Sequence, residues 1–419
     1  MTVLALVAFW GTVGFVVLQA TLVALFVRKL NRNSVDTGAV DTGSVDTESI
    51  AKSDLKTAII LCVRGVDPSL KDCLDSLIEQ GASDQKVFVV GDSESDPAIE
   101  FVRSFATKHP QKIGVLINEE LHEHCGLKCS NLIYAIGQLE SEYDIFLLVD
   151  ADAVVPDNWL HTMTAPFADP EVCVTSGVRW LDVSGSRMGT WVRFIWNTAA
   201  IVQMVCYRIP WGGSLGIRTA FLRNADVLDA WSRGFCEDTM LQSLARKNGA
   251  KIEVVSEAVI HSAEETSLGK SIPWISRQLL TARLHHPFWP LVLGHGLMTL
   301  LFSFGLPILL MITLFQNSFV AAGWLAAAYA ILQLGNLWLL NWIESPVRKR
   351  SGQRATFWKN PIMFLIGIPV TQVSYVMAVV KAVLARKVEW RKINYQIRGK
   401  RIKRLDYEPY QQSTKTESL

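Results

Sequence analysis

The sequence predicts an α/β domain on a mostly parallel sheet, carried between apolar segments at both ends of the chain that are long enough to cross a membrane. Three observations lead there. Strand-like and helix-like pieces alternate from residue 56 to about 265, residues 2–27 carry no charge, and three further apolar runs follow residue 290. Alternating strands and helices argue for a parallel sheet covered on both faces, and uninterrupted runs of about 20 apolar residues argue for membrane spans. Composition agrees: half of the 419 residues are hydrophobic, 19% are charged and the mean hydropathy is +0.23, too apolar for an ordinary soluble chain. That length favours two or three structural units and excludes a small disulfide-stapled domain. The seven cysteines are odd in number and lack framework spacing, which suits a reducing compartment.

Residues 1–29 read as an N-terminal anchor. A cleaved signal peptide fits less well, because the run is too long for an h-region, has no basic start and ends in Arg28-Lys29 without a small-x-small site. The basic flank Arg28, Lys29 and Arg32 places the following domain in the cytosol and the N-terminus outside. Residues 30–55 contain a five-residue repeat taken three times, with too little apolar content to pack, and read as a flexible linker. The α/β domain occupies 56–268, with strands expected at 57–63, 86–90, 113–117 and 145–149 and helices at 70–80, 97–108 and 130–139. In such sheets ligands bind beyond the carboxyl ends of the strands. Residues 269–290 mix Trp274, Phe288 and Trp289 with Arg277, Arg283, His285 and His286, as expected of a helix at headgroup level. Runs at 291–315, 319–343 and 361–385 form a C-terminal membrane region, and 386–419 a basic cytosolic tail. The last run is ambiguous. Both its flanks are rich in Lys and Arg, so with Pro361 and Pro369 it reads either as a span or as a re-entrant or interfacial segment.

The strongest local signal for chemistry is the apolar strand 145–149 followed at once by Asp150-Ala151-Asp152. Alternate positions at a strand's carboxyl end present two carboxylates to a ligand. Hard divalent cations, Mg²⁺ or Mn²⁺, take carboxylate and phosphate oxygens together, which would offset charge building on a diphosphate leaving group. An isolated D-x-D is usually a solvated loop; its place after a buried strand reverses that preference. Asp92 follows another strand and suits a base or ribose, although it serves equally as a turn residue. Lys128 and Asn131 open a helix where a cation and free amides suit a phosphate, against the plain reading of a surface lysine. Glu237-Asp238 opens a helix at 239–247; Asp238 is the candidate base with Glu237 steering it, and the bland alternative is acidic residues favoured by the helix dipole. His122, His124, Cys125 and Cys129 crowd together, yet their spacing matches no familiar zinc site and an incidental loop is the better reading.

Taken in order these motifs resemble the family 2 glycosyltransferases, and within them the ceramide glucosyltransferase-like branch. The likeness runs from about residue 57 to the tail. It rests on Arg64-Gly65-Val66-Asp67-Pro68-Ser69-Leu70, Asp92 with Asp96-Pro97-Ala98-Ile99, Lys128 with Asn131-Leu132, Asp150-Ala151-Asp152 with Pro156-Asp157, Glu237-Asp238, and the closing Trp390-Arg391-Lys392-Ile393-Asn394-Tyr395. The resemblance implies a Rossmann-like GT-A fold and inverting transfer of a sugar, expected to be a hexose, from a nucleotide-diphosphate sugar. It further implies that Asp92 contacts the nucleotide, Asp150 and Asp152 serve metal and diphosphate, and Asp238 is the base. The expected partners are the nucleotide-sugar, a membrane lipid acceptor and the bilayer, with no nucleic acid. One departure stands out: where the family carries (Q/R)-x-x-R-W, this chain reads Arg277-Gln278-Leu279-Leu280-Thr281. Either Arg283, with Arg277, supplies the charge from a shifted register, or the diphosphate is gripped differently. Competing readings are a processive polysaccharide synthase, which needs a transmembrane tunnel, and a non-catalytic scaffold or transporter. For the transporter the spans offer chiefly His295, Gln333 and Asn336.

Overall fold

The structure, a computed structural model, describes residues 1–36, 55–80, 85–351 and 355–411. Most of the expected linker, residues 37–54, lies outside the described residues. The centre of the molecule is a seven-stranded sheet of order β3-β2-β1-β4-β6-β5-β7. Its strands are β1 (Thr57–Cys62), β2 (Lys86–Gly91), β3 (Ile113–Ile117), β4 (Ile145–Asp150), β5 (Val172–Leu181), β6 (Ser214–Arg218) and β7 (Lys251–Ser262). All neighbours run parallel except β6, which is antiparallel to β4 and β5. Alternate residues of the central strands enter different cores. Ile59, Leu61, Val89, Leu147 and Val149 pack under helices Leu70–Ile78 and Pro97–Ala106, while Ala58, Ile60, Val90, Phe146 and Leu148 pack under Leu127–Leu139. Burial on both faces is why these strands read as unbroken apolar runs. The register pairs Cys62 with both Val90 and Asp150, so the carboxyl ends of β1, β2 and β4 lie side by side.

Among the described residues four helical stretches are long and apolar enough to cross a membrane: Thr2–Asn31, Trp289–Phe315, Phe319–Lys349 and Pro361–Leu384. The first is part of a helix running to Asp36 that packs lengthwise against Phe319–Ser351. Large apolar residues such as Trp10, Phe315 and Leu334 point outward, as a lipid-facing surface requires. Pro361–Leu384 behaves differently, because both of its ends rest on helices adjoining the α/β domain. Near its start Phe364 meets Trp191 and Phe194 edge-on, within helix Met188–Tyr207. At its end Arg283, from helix Leu268–His285, donates to the carbonyls of Ala382 and Val383, each at 2.6 Å.

The residues expected to form a plain basic tail fold instead into β8 (Lys387–Trp390), β9 (Ile393–Arg398) and β10 (Arg401–Arg404), an antiparallel sheet. Ile393, Tyr395, Ile397 and Ile402 are buried and alternate with polar or basic neighbours, a period-two pattern. This sheet docks on the α/β domain, where Leu127 N–H donates to the Tyr395 hydroxyl at 3.1 Å. One close approach fixes the register nearby: Gly126 N–H donates to the Gly234 carbonyl at 2.8 Å, and a Cβ on Gly126 would sit 2.2 Å from the Phe235 carbonyl oxygen. Gly126→Ala is therefore expected to cost about 1–3 kcal/mol by overpacking. The measurement is the apparent unfolding midpoint of the detergent-solubilised protein, and no change would show that the loop can give way.

Candidate active site

Lys128, in the first turn of its helix, is the hub of the carboxyl edge. Its ammonium lies 2.6 Å from Asp150 Oδ1, 2.6 Å from Glu237 Oε1 and 3.1 Å from the Gly212 carbonyl, so its three donors are all taken. Burial opposes its charge, but Asp150 and Glu237 more than offset this and hold it well above the ordinary lysine range. On Asp150 burial likewise opposes charge, and Lys128, then Arg179 and Arg391, outweigh it, so the carboxyl titrates below the ordinary aspartate value. Glu237 goes the other way. It is 3% exposed, and burial first, then the neighbouring carboxylates, push it up against the pull of Lys128. Lys128 thus differs from the sequence expectation of a free phosphate-binding lysine: its charge is spent on organising two carboxylates.

Asp152 pairs with Arg179 at 2.9 Å, and that guanidinium also lies 5.8 Å from the centre of the Trp211 ring. Asp150 Oδ2 and Asp152 Oδ1 keep no protein partner among the described residues, and the two side chains are 31% and 35% exposed. These hard oxygens fit a hard divalent cation. No group of three or more His, Cys, Asp or Glu side chains suited to a metal occurs among the described residues, so a cation held here would take its remaining ligands from a diphosphate or water. His122, His124, Cys125 and Cys129 accordingly form no metal cluster; Cys125 and Cys129 are buried in the apolar core.

The segment that departs from the Arg-Trp motif meets a tryptophan from a distant part of the chain. Arg277 lies over the ring of Trp390 from β8, 5.4 Å from its centre, and has no hydrogen bond or ion pair among the described residues. Burial, then Arg391 and Arg179, disfavour its charge, and an arginine stays protonated regardless. The result is a crowded positive cluster that an anionic ligand would relieve. Arg391 pairs with Asp67 at 3.2 Å from a two-residue turn in which Arg391 and Lys392 both have positive φ, 49° and 63°. Non-glycine residues held in that region cost energy and gather at functional sites. Arg283 is not part of the cluster: its guanidinium caps the end of helix Pro361–Leu384 instead, because the turn of the helix carries it away from Arg277.

At the far side of the edge Asp92 forms a buried ion pair with Arg64 and accepts from the Tyr407 hydroxyl at 2.8 Å, while its Oδ1 is buried with no partner among the described residues. Arg64 is in turn held by the carbonyls of Arg391 and Glu408. Asn131 is not brought to this edge as a ligand. Its Oδ1 accepts from Asn118 Nδ2 at 3.0 Å, and Asn118 N–H donates to the Gly91 carbonyl, so it braces the ends of β2 and β3. Arg64, Arg179, Trp390, Arg391 and Tyr407 were not singled out as site residues from sequence. Only Arg64 and Trp390-Arg391 lay within recognised motifs.

Asp238 stands beside Glu237 and accepts from the N–H groups of Gly212 at 2.9 Å and Thr239 at 2.5 Å. Burial raises its pKa, against the Gly212 amide and Lys128. The Glu237 segment is held by Trp231 Nε1–H donating to the Glu237 carbonyl, and Phe235 N–H donates to His285 Nε2 at 2.9 Å. Burial pushes His285 down to about 4, so its ring remains a neutral acceptor. Asp238 lines a mostly apolar cavity of about 250 Å³ that also reaches Trp274, Gln278, His295, Leu332 and Tyr375, from the domain into the membrane helices.

A partly exposed carboxylate pair at the end of a parallel strand, with the unpaired guanidinium of Arg277 in the same charged edge and candidate membrane helices beside the domain, fits a sugar transferase of the GT-A class. More narrowly, the chain belongs to glycosyl transferase family 21, whose profile matches residues 16–402; it is a GT-A-type, ceramide glucosyltransferase-like family, so the family number differs from the one expected from the motifs. Comparison with curated proteins gives no significant match. Among solved structures, the chain is similar to a mannosyltransferase from Pyrobaculum calidifontis, in complex with GDP-Man and Mn²⁺, with 15% identity and a TM-score of 0.49 over 90% of this chain and 99% of that one. A more distant likeness is to GalNAc-T7 with UDP, GalNAc and Mn²⁺, at 12% identity and a TM-score of 0.37 over 55% and 50%.

Proposed function

We propose that this glycosyltransferase moves a hexose, with inversion, from a nucleotide-diphosphate sugar to a hydroxyl of a membrane lipid on the cytosolic face. The observation that carries this reading is the cavity, which begins at Asp238 and continues among membrane helices. An acceptor that enters from the bilayer needs such a path. Asp238 takes the proton of the acceptor hydroxyl as that oxygen attacks the sugar carbon from the face opposite the diphosphate. Glu237 and Lys128 hold the local charge balance, Asp92 meets the nucleoside through its unpartnered oxygen, and Arg277 and Arg391 grip the diphosphate. Asp150 and Asp152 would hold Mg²⁺ or Mn²⁺, which when bound offsets charge on the leaving diphosphate.

Membranes containing the protein, given labelled nucleotide-sugars and extracted for lipid, are expected to yield one labelled lipid of low mass. No labelled lipid with any common donor would sink the reading, and a ladder of long products would favour a processive synthase. Asp152→Ala is expected to weaken metal-dependent nucleotide-diphosphate binding by at least the roughly 10–100-fold typical of outer-shell partners. Titration calorimetry with and without Mn²⁺ checks this, and unaltered metal-dependent affinity would remove Asp152 from the metal site.

A further inference from the structure

Well below its mouth the same cavity contains hydrogen-bonding groups. Gln19 Nε2 lies 3.3 Å from His295 Nε2, His295 Nδ1 lies 3.4 Å from the Tyr375 hydroxyl, and Tyr375 also donates to the Val292 carbonyl at 3.3 Å. All three side chains line the cavity. His295 is six residues into the helix that starts at Trp289, roughly 9 Å along its axis. Gln19 is ten residues before Lys29, roughly 15 Å along its helix, and Lys29 pairs with Glu253 of the α/β domain at 3.6 Å. The polar station therefore lies among the candidate membrane helices, away from the ends that meet the α/β domain. Polar groups inside a membrane are costly and mark ligand paths far more often than they are incidental.

This station is not closed on itself. Among the described residues Gln19 Oε1 is buried with no partner. Turning the amide over would only exchange the orphaned acceptor for an orphaned donor. A hydroxyl satisfies either arrangement, because it both donates and accepts. The charged side chains lining the cavity are Arg179 and Asp238, which belong to the catalytic edge, so nothing at the station balances an ionised group.

We propose that Gln19, His295 and Tyr375 form a second polar subsite in the acceptor cavity, which takes a neutral lipid bearing a hydroxyl within its membrane-embedded part, besides the hydroxyl that receives the sugar. The inference rests on the reading of this cavity as the acceptor site. Interhelical hydrogen bonds in membranes translate into roughly 3- to 30-fold in affinity, which sets the discrimination to expect.

The test uses the full chain in phosphatidylcholine vesicles with two photoactivatable lipid alcohols of equal length, one carrying an additional chain hydroxyl. Crosslinking to helix Trp289–Leu300, mapped by mass spectrometry, reads binding without turnover. The wild type is expected to capture the dihydroxy lipid about 3- to 30-fold better, and Gln19→Leu and Tyr375→Phe to bring that ratio close to one. Tyr375→Phe keeps the ring, so a folding failure of Gln19→Leu leaves the test intact. Equal capture by the wild type, a preference surviving in the folded variants, or no labelling of this helix would overturn the subsite. A second arm measures labelled-sugar transfer to the same two lipids. Preferential capture without transfer to any lipid would leave the subsite standing and remove the lipid-acceptor reading; equal transfer to both would do the reverse.

Discussion

Asp238→Asn is expected to lower sugar transfer by about 10²–10⁴-fold, the usual contribution of a positioned general base, while nucleotide-diphosphate affinity stays close to wild type and the lost acceptor costs about 1–3 kcal/mol of stability. The substitution is nearly isosteric. Asp238 accepts one hydrogen bond per oxygen, from Gly212 and Thr239, and an asparagine keeps one of these acceptors. What it loses is proton affinity, the property the step requires. Burial is the largest influence on Asp238 and raises its pKa. The base works as the carboxylate, so activity falls as pH drops through that raised value, and the acid limb of kcat/KM should lie above the ordinary aspartate value of about 3.9. Steady-state kinetics across pH with saturating donor check both points. A variant that retains wild-type turnover, or the wild-type acid limb, would move the base elsewhere.

The part of this molecule legible in the sequence is the part where local pattern and tertiary environment agree. β1 to β4 are buried on both faces and read as apolar runs, and β4 delivers Asp150 and Asp152 where a strand end should. The second half of the sheet was not legible. β5 and β7 pair in register only across bulges, and short β6 enters antiparallel between β4 and β5, an arrangement dictated by long-range pairing. The tail hid its strands because the basic residues around them, Arg398, Lys400, Arg401 and Lys403 among them, dominate its composition, so net charge masked a clear alternation of Ile393, Tyr395 and Ile397 with Asn394 and Gln396. The Arg-Trp pair illustrates the limit best. A linear motif search finds Leu280 and Thr281 and scores a loss, whereas the fold sets Arg277 against Trp390, 113 positions onward in a different element. Chemistry requires proximity in space, and the spacing of a motif is only one way to secure it.

Lys128→Met is expected to destabilise the protein by about 3–5 kcal/mol, because it strands two carboxylates that share one cation in a buried setting. An exposed lysine would cost within about 0.5 kcal/mol, so the two readings of Lys128 are well separated. The loss also has a direction. Without its principal cation Asp150 no longer titrates low, and Glu237, already pushed up by burial, moves further toward the protonated form. Glu237→Gln supplies the discriminating partner. Added to Lys128→Met, it removes one of the two stranded charges, and the double variant should recover about 1 kcal/mol or more relative to the single one. The same Glu237→Gln change in the wild-type background removes the charge that Lys128 balances and should instead be neutral or destabilising. The four unfolding midpoints, converted to free energies, form a cycle whose coupling term measures the interaction directly. Additive effects would mean that Lys128 and Glu237 do not share charge, and the account of the carboxyl edge as a charge-balanced unit would fail with them. A large coupling would instead explain why Lys128 is better described as the organiser of Asp150 and Glu237 than as a phosphate ligand, leaving the diphosphate to the unspent guanidinium of Arg277 and to Arg391.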